Sequence, residues 1–286
     1  MIIFLKNGRL GNQYIQVAGL DHYLPNEKVI LINFEELIET FDIKKISRIR
    51  NFKIYRCTFI LLHFFLKIML KANLIGKLTE INKNDSFEII RKKGIFHNIY
   101  LAEDIFFQHK DFLNNFSSNS TLKSSHIEKA RSWLVENSID FNNTNLIFTH
   151  IRRGDYLFVP SRTNPAAVDI GWVKEYMEYF NSKLTKARFI LMGDDSEYLT
   201  NTFGEMDTVI ISKNDESVDI AIMSLCKYGI MSPSSFALVG AHISRANNLD
   251  THFVAPTYWM GHRVGSWIPS GIEINWIDYK DNGSKF

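Results

Sequence analysis

Residues 145–155 read NLIFTHIRRGD. The first seven are short, apolar and rich in β-formers, the pattern of a buried strand. At its carboxyl end stand Arg152, Arg153, Gly154 and Asp155, with His150 just inside. Two adjacent arginines at a strand end are costly to bury without partners. A phosphate would explain them, because a guanidinium binds it in a bidentate and permanently charged way. A surface cluster of Arg152, Arg153 and Asp155 is the plain alternative. It is less comfortable here, because an apolar strand delivers these side chains to the mouth of the sheet.

Downstream of this strand the alternation is regular. Residues 171–184 have helical periodicity, with Trp172, Tyr176, Tyr179 and Phe180 on one side. Residues 188–192 and 207–212 read as strands and 217–226 as an apolar helix. A strand at 228–232, a helix at 236–246 and a strand at 251–256 close the series. Strands alternating with helices predict parallel βαβ units. Such sheets bind ligands at the carboxyl ends of their strands.

Upstream the pattern is looser: a strand at 1–5, a glycine-bearing loop, a helix near 12–22 and a strand at 29–33. A basic helical region follows, then a strand expected at 94–101 and an Asn- and Ser-rich linker at 114–125. Ser124 and Ser125 precede Glu128 with the spacing of a helix start. The expectation is an α/β chain of two Rossmann-like domains facing a cleft, residues 1–135 and residues 136–286.

Composition narrows the function classes. The 286 residues carry a net charge of +2, too little to argue for nucleic acid. Cys57 and Cys226 both sit in apolar runs and read as buried thiols. No Cys/His spacing resembles a zinc site. The apolar run that opens the chain is too short for a signal peptide's hydrophobic region, so a first strand and a cytoplasmic location are expected. One segment departs from this even balance. Between Asp42 and Glu80 there is no acidic residue, while Lys44, Lys45, Arg48, Arg50, Lys53, Arg56, Lys67, Lys71 and Lys77 fall there. The same segment holds TFILLHFFLKIML, residues 58–70. This is shorter than the roughly 20 apolar residues of a membrane span. An ordinary packed helix with a basic flank is one reading. A helix lying on anionic lipid, with residues 43–79 as a peripheral contact, is the other.

Further motifs sit at predicted strand ends. Gly8-Arg9-Leu10-Gly11-Asn12-Gln13 follows the first strand and opens a helix, where backbone N–H groups can face an anion. It lacks both the dinucleotide glycine pattern and the P-loop lysine. Ser232-Pro233-Ser234-Ser235-Phe236 likewise opens a helix, and its serines can cap that helix or donate to phosphate. Asp219 is either a first-turn acid favoured by the helix dipole or an acceptor for the two adjacent N–H donors of guanine. No Asp-x-Asp, the usual signature for a divalent ion on a nucleotide diphosphate, is present; Asp194-Asp195 could loosely substitute for it, but reads more readily as the cap of the next helix.

Together these motifs resemble the α-1,2-fucosyltransferases of glycosyltransferase family 11 and, more distantly, the α-1,6- and protein O-fucosyltransferases. Gly8, Gly11, Asn12 and Gln13 match the family's glycine-rich opening, and residues 150–155 match its H-x-R-R-G-D. Residues 223–227 and 232–241 resemble its late block. That block usually contains tryptophans, where this chain has Ala237, Leu238, Val239 and His242.

The resemblance implies a GT-B type fold, GDP-β-L-fucose as donor, inversion at the anomeric carbon, and neither cofactor nor metal. It makes Arg152 the catalytic group that meets the diphosphate, with Arg153 supporting it and Asp155 or His150 as candidates for the base. Arg9, Gly11 and Asn12 would contact the donor from the N-terminal domain, which the resemblance makes the acceptor side. Asp219 would read guanine, and Ser234, Ser235 and Phe236 would hold phosphate and ribose. The implied acceptor is a β-galactoside within an O-antigen-like glycan, as an oligosaccharide or linked to lipid at the inner face of the plasma membrane. A GDP-sugar transferase aimed at another hydroxyl, or a relative that binds GDP or glycan without turnover, is the competing expectation. Aromatic residues near the carboxyl end, Tyr258, Trp259 and Trp267, could stack on sugar faces or simply pack.

Overall fold

The computed structural model describes residues 1–43, 49–115, 119–140, 144–248 and 250–282. Lys44, Lys45 and Arg48 of the basic segment therefore lie outside the described residues. The chain divides into two compact units, Met1–Leu122 and Lys123–Phe286.

The first unit runs β1 (Ile2–Leu5), α1 (Leu10–Tyr23), β2 (Val29–Ile32), α2 (Glu35–Thr40), β3 (Phe41–Asp42), β4 (Ile49–Phe52) and α3 (Arg56–Lys71). It continues with β5 (Gly76–Lys83), β6 (Ser86–Lys92), β7 (Tyr100–Ala102), α4 (Lys110–Leu113) and β8 (Thr121–Leu122). Its main sheet has the order β4-β2-β1-β7-β5-β6, parallel except for the β5–β6 hairpin at the edge. β3 and β8 form a separate antiparallel pair. The hairpin was not foreseen: charged and polar residues are interleaved with its apolar ones and about half of it is exposed, as suits an edge that must resist further pairing. The strand expected at 94–101 is confined to Tyr100–Ala102. Ile95 and Phe96 instead bond back to Asn73 and Leu74.

The second unit runs α5 (Ser124–Glu136), β9 (Asn145–Ile151), α6 (Ile170–Lys183), β10 (Ala187–Gly193), α7 (Ser196–Phe203) and β11 (Val209–Ile211). Then come α8 (Glu216–Leu225), β12 (Tyr228–Met231), α9 (Ser235–Asn247), β13 (His252–Pro256) and β14 (Asp278–Lys280). All six strands are parallel, in the order β11-β10-β9-β12-β13-β14. Read along the chain this is 3-2-1-4-5-6, the dinucleotide-fold order, whose ligand crevice opens where the order reverses, between its first and fourth strands. Here those are β9 and β12. β14 lies beyond the last strand expected from sequence, since three residues of mixed character carry no periodicity.

The division at Leu122 falls before the expected boundary at residue 135. The reason is α5, which packs on α8 of the second unit. The second unit's core is dense, with Trp172, Val173, Met177 and Phe180 of α6 packing on Ile147, Phe189 and Leu191 of the sheet. The periodicity of residues 171–184 therefore marked the buried face correctly, although Tyr179 is 40% exposed.

The two thiols differ, contrary to the expectation that both are buried. Cys226 is buried and its Sγ donates to Ile222 O at 3.3 Å. Burial raises its pKa well above the ordinary thiol value. Cys57 is exposed in the first turn of α3. An apolar neighbourhood in sequence did not bury it, because only one side of α3 is packed and Cys57 lies off that side. In the native protein a maleimide is expected to label Cys57 alone, and Cys226 only after unfolding. Intact-mass spectrometry would read one adduct, then two.

Candidate functional site

The glycine-rich loop follows β1 in the first unit. Gly8 adopts φ +90°, and a Cβ there would overlap the Asn12 side chain. Only glycine lets the chain turn this tightly into α1. Arg9 occupies the cap position in extended backbone and is exposed. Gly11 is buried and Asn12 half-buried in the first turn. Asn12 Oδ1 accepts from Gln108 Nε2 at 2.8 Å.

Gln13 and Gln16 point the other way, into the protein. Gln13 Nε2 donates to Gly8 O (3.3 Å) and Glu36 Oε2 (2.8 Å), while its Oε1 accepts from Leu37 N (3.2 Å). Gln16 Nε2 donates to Asn7 O (3.1 Å) and Ile105 O (3.0 Å). Two buried amides thus clamp the loop from behind, which satisfies backbone groups that a tight turn leaves orphaned.

The second unit brings the arginine pair, the serine turn and two carboxylates to the point where its strand order reverses. The ladder between β9 and β12 extends beyond both strands. Ser232 N donates to His150 O at 3.0 Å, and Arg152 N donates to Ser232 Oγ at 2.9 Å. Ser232, fully buried, therefore ties the HIRRGD turn to the SPSS turn. Arg152 is gripped on two sides. Its Nε and Nη2 donate to Asp155 Oδ1 at 3.0 and 2.7 Å, and its Nε lies 3.2 Å from Asp194 Oδ2. Asp194 also accepts from Arg153 N at 2.8 Å. A Cβ on Gly154 would overlap the Asp194 carboxylate, so a side chain there would push that carboxylate from its place beside Arg152.

Arg153 faces elsewhere. Its guanidinium lies 3.5 Å from the centre of the Tyr198 ring and its Nε 3.6 Å from Asp195 Oδ2. Asp195 also caps α7, accepting from Tyr198 N at 3.0 Å. The capping expected of the Asp194-Asp195 pair therefore belongs to Asp195, while Asp194 orders the arginine turn. The signal that could have assigned Asp194 was available: it follows β10, a neighbour of β9, at the same carboxyl edge.

His150 is 5% exposed, its Nδ1 has no hydrogen-bond partner, and its ring centre lies 5.6 Å from that of Phe236. Burial, helped by the Arg152 charge, pushes its pKa down to about 3. It is therefore neutral at physiological pH. Tyr156 bridges the two turns by donating to Pro233 O at 3.0 Å. Burial pushes its phenol up to about 12. Ser234 caps α9, accepting from Phe236 N at 3.2 Å, and Ser235 begins that helix half-buried.

Asp219 sits in the first turn of α8, beside the end of β11. It accepts a short hydrogen bond from Ser212 Oγ, which in turn accepts from Asn214 Nδ2 at 2.9 Å. Burial outweighs that hydrogen bond, and with the nearby Glu216 and Asp215 charges raises the Asp219 pKa to about 7. A buried carboxylate that is half-neutral near pH 7 is poised to change state when a donor approaches.

The carboxyl-terminal aromatics pack. Trp259 is 1% exposed, and Trp267 lies edge-on to Tyr258 and Tyr279 with ring centres 5.7 and 4.8 Å apart. His262 is buried between Asn282 Nδ2 (2.9 Å) and Ala166 O (3.3 Å). Arg263 Nε donates to Pro165 O at 3.1 Å, which ties down the loop after the arginine turn.

Comparison with known proteins places this arrangement. A glycosyl transferase of family 9 from Veillonella parvula superposes with a TM-score of 0.56, covering 100% of this chain and 88% of that one at 14% identity. POFUT1 in complex with GDP superposes with a TM-score of 0.51, over 89% of this chain and 97% of that one at 12% identity. At such identities the likeness concerns the fold, which is α/β of the GT-B type with two Rossmann-like units. An Escherichia coli protein described as O-antigen biosynthesis glycosyltransferase WbnK is 24% identical over 256 residues, 83% of this chain and 81% of that protein. An Escherichia coli alpha-1,2-colitosyltransferase is 32% identical over 128 residues, 41% of each chain. The sequence profile of Glycosyl transferase family 11 matches residues 3–278, and the chain belongs to that family of glycosyltransferases.

Proposed function

We propose that this protein transfers L-fucose, with inversion, from GDP-β-L-fucose to the 2-hydroxyl of a β-galactoside in an O-antigen-like surface glycan. The observation that carries this reading is the Arg152 fork, held by Asp155 and Asp194 at the reversal point of the second unit's sheet. A fixed guanidinium at that place suits a departing diphosphate, whose developing charge it meets without reorganising. Asp219 stands beyond the end of β11, two strands from β9. At ~4.8 Å per strand this is on the order of 10 Å along the sheet edge. That is comparable with the reach from a guanine edge to its diphosphate.

In this reading Arg152 stabilises the leaving GDP, and Asp155 and Asp194 orient Arg152. Arg153 orders the turn by stacking on Tyr198. Ser234, Ser235 and Phe236 line the phosphate and ribose side, and His150 supports them as a neutral ring. Arg9, Gly11 and Asn12 of the first unit contact the donor sugar or acceptor. No metal takes part, because both carboxylates of the Asp194-Asp195 pair are engaged with arginines and a helix cap. A second reading has its own observation: the relative named a colitosyltransferase makes the donor sugar the open coordinate.

Purified protein is expected to release GDP from GDP-fucose when given β-galactosides, equally with EDTA present. GDP-linked colitose belongs in the same donor panel, with linkage read by NMR of the product. Turnover abolished by EDTA would remove the metal-free mechanism. Tight GDP binding without turnover on any donor would favour a binding protein.

A further inference from the structure

α3 carries apolar residues on two of its sides, yet the described structure covers only one of them. Phe59, Leu62, Leu66, Met69 and Leu70, spaced by three and four, pack on sheet residues such as Leu5, Ile32 and Leu101. The opposite stripe should be polar in a surface helix. Instead it presents Ile60, Leu61, Phe64, Phe65 and Ile68, all 48–69% exposed. The apolar surface continues at both ends. Phe52 and Tyr55 are exposed just before the helix. Ile95 and Phe96, exposed likewise, are bonded to Asn73 and Leu74 at its carboxyl end (2.8 and 2.7 Å). A patch of this extent on a monomer marks a contact surface.

Charge identifies the occupant. Residues 43–79 hold nine of the chain's 33 Lys and Arg residues and none of its 31 acidic ones, so the remaining residues together carry −7. Lys67 and Lys77 share Glu103. Arg50, Lys53, Arg56 and Lys71 are exposed and make no ion pair among the described residues. A second copy would bring the same cationic patch against itself, which a two-fold interface penalises. A membrane span is excluded by length: 16 residues make a helix about 24 Å long, and no helix among the described residues is long and apolar enough to cross. An apolar stripe flanked by unpaired cations matches the interface of an anionic bilayer.

We propose that this protein docks on anionic lipid bilayers through α3, with Leu61, Phe64 and Phe65 in the acyl boundary and Arg56 and Lys71 against headgroup phosphates. Arg56 and Phe59 also wall a cavity of about 510 Å³ with Lys6, Asn7, Gly8 and Lys53. Docking would bring that cavity to the membrane surface, where a lipid-borne acceptor could enter it. The docking surface does not depend on the transfer reaction, and its test does not use catalysis.

The test is co-sedimentation of the full chain with phosphatidylglycerol–phosphatidylethanolamine vesicles, against vesicles of phosphatidylcholine alone. Binding is expected to the anionic vesicles and to weaken with salt. The triple variant Leu61→Ser, Phe64→Ser, Phe65→Ser should bind them about a hundredfold more weakly while keeping its melting temperature, since these side chains are exposed. Neutralising Lys53, Arg56 and Lys71 to Gln should cost about fivefold per charge on anionic vesicles only. Absence of vesicle binding, or equal binding by the serine variant, overturns the proposal. So does light scattering that finds a dimer which the serine variant dissociates, for the patch would then be an interface between proteins.

Discussion

Arg152→Ala is expected to lower kcat by about 10³–10⁵, the range of a lost charge-stabilising arginine in phosphoryl transfer, with far less effect on GDP affinity or melting temperature. The guanidinium is preorganised by two carboxylates, through Asp155 Oδ1 and Asp194 Oδ2. Charge that is already in place when the diphosphate departs contributes most in the transition state. Its contribution to stability is small, because this is a partly exposed ion pair. Arg152→Lys should recover little of the rate, because an ammonium cannot span two carboxylates and a phosphate in one plane. Asp194→Asn should lose less than Arg152→Ala, since Asp155 still holds the fork. Steady-state kinetics, GDP calorimetry and thermal unfolding on these variants check the argument. A purely structural arginine cluster would show the opposite: melting temperature and GDP affinity would fall together with turnover.

GDP-fucose should bind about tenfold more weakly at pH 6 than at pH 8, and Asp219→Asn should flatten that dependence. The acceptor for guanine's two N–H donors is the ionised carboxylate, and burial holds the free protein's Asp219 at a pKa of about 7. Below that pH binding must first expel a proton. GDP-fucose is the right probe because its diphosphate diester does not titrate in this window. The Asn variant loses a charged acceptor and should bind about a hundredfold more weakly, roughly 3 kcal/mol, with less preference for GDP over UDP. Calorimetry at several pH values reads both effects. The sign for folding is opposite. A raised carboxyl pKa stabilises the fold below the unfolded value of 3.8, and that stability is lost as pH rises through about 7. The melting temperature of the free protein should therefore drop across that interval, and ligand should restore it. A pH-independent affinity in the wild type would refute the guanine assignment of Asp219.

Much of the second unit was legible because its strands are short apolar runs and its helices are either one-sided, as α6 is, or apolar almost throughout, as α8 is. Asn145–Ile151 coincides with β9, and the helices at α6, α8 and α9 fall within a residue or two of their expected limits. Parallel strands buried on both faces leave a strong local signal. The first unit was less legible. Its β5–β6 hairpin mixes polar with apolar residues and lies at an edge, so no clear periodicity announced it. The run at 94–101 looked like a strand because it is apolar, yet Ile95 and Phe96 are exposed. Apolar residues signal a strand only where a neighbouring strand is there to pair.

The arginine turn and the serine turn could be named in advance, because each stands at the end of an apolar run where ligands of such sheets bind, and Asp219 was legible as a first-turn acid of the helix that follows β11. Sequence alone therefore determined the α/β class, the parallel order of units and the residues at the strand mouths. Tertiary structure decided what those residues do to one another. It gave Asp194 to the arginine turn and Asp195 to a cap, turned Gln13 and Gln16 inward, and made Ser232 the tie between two strands 80 residues apart in its bond to Arg152. It also left Cys57 and one side of α3 uncovered. The physical reason is range. Periodicity and propensity act over a few residues, whereas a hydrogen bond across a crossover, or the absence of a partner for a helix face, depends on what the rest of the chain brings alongside.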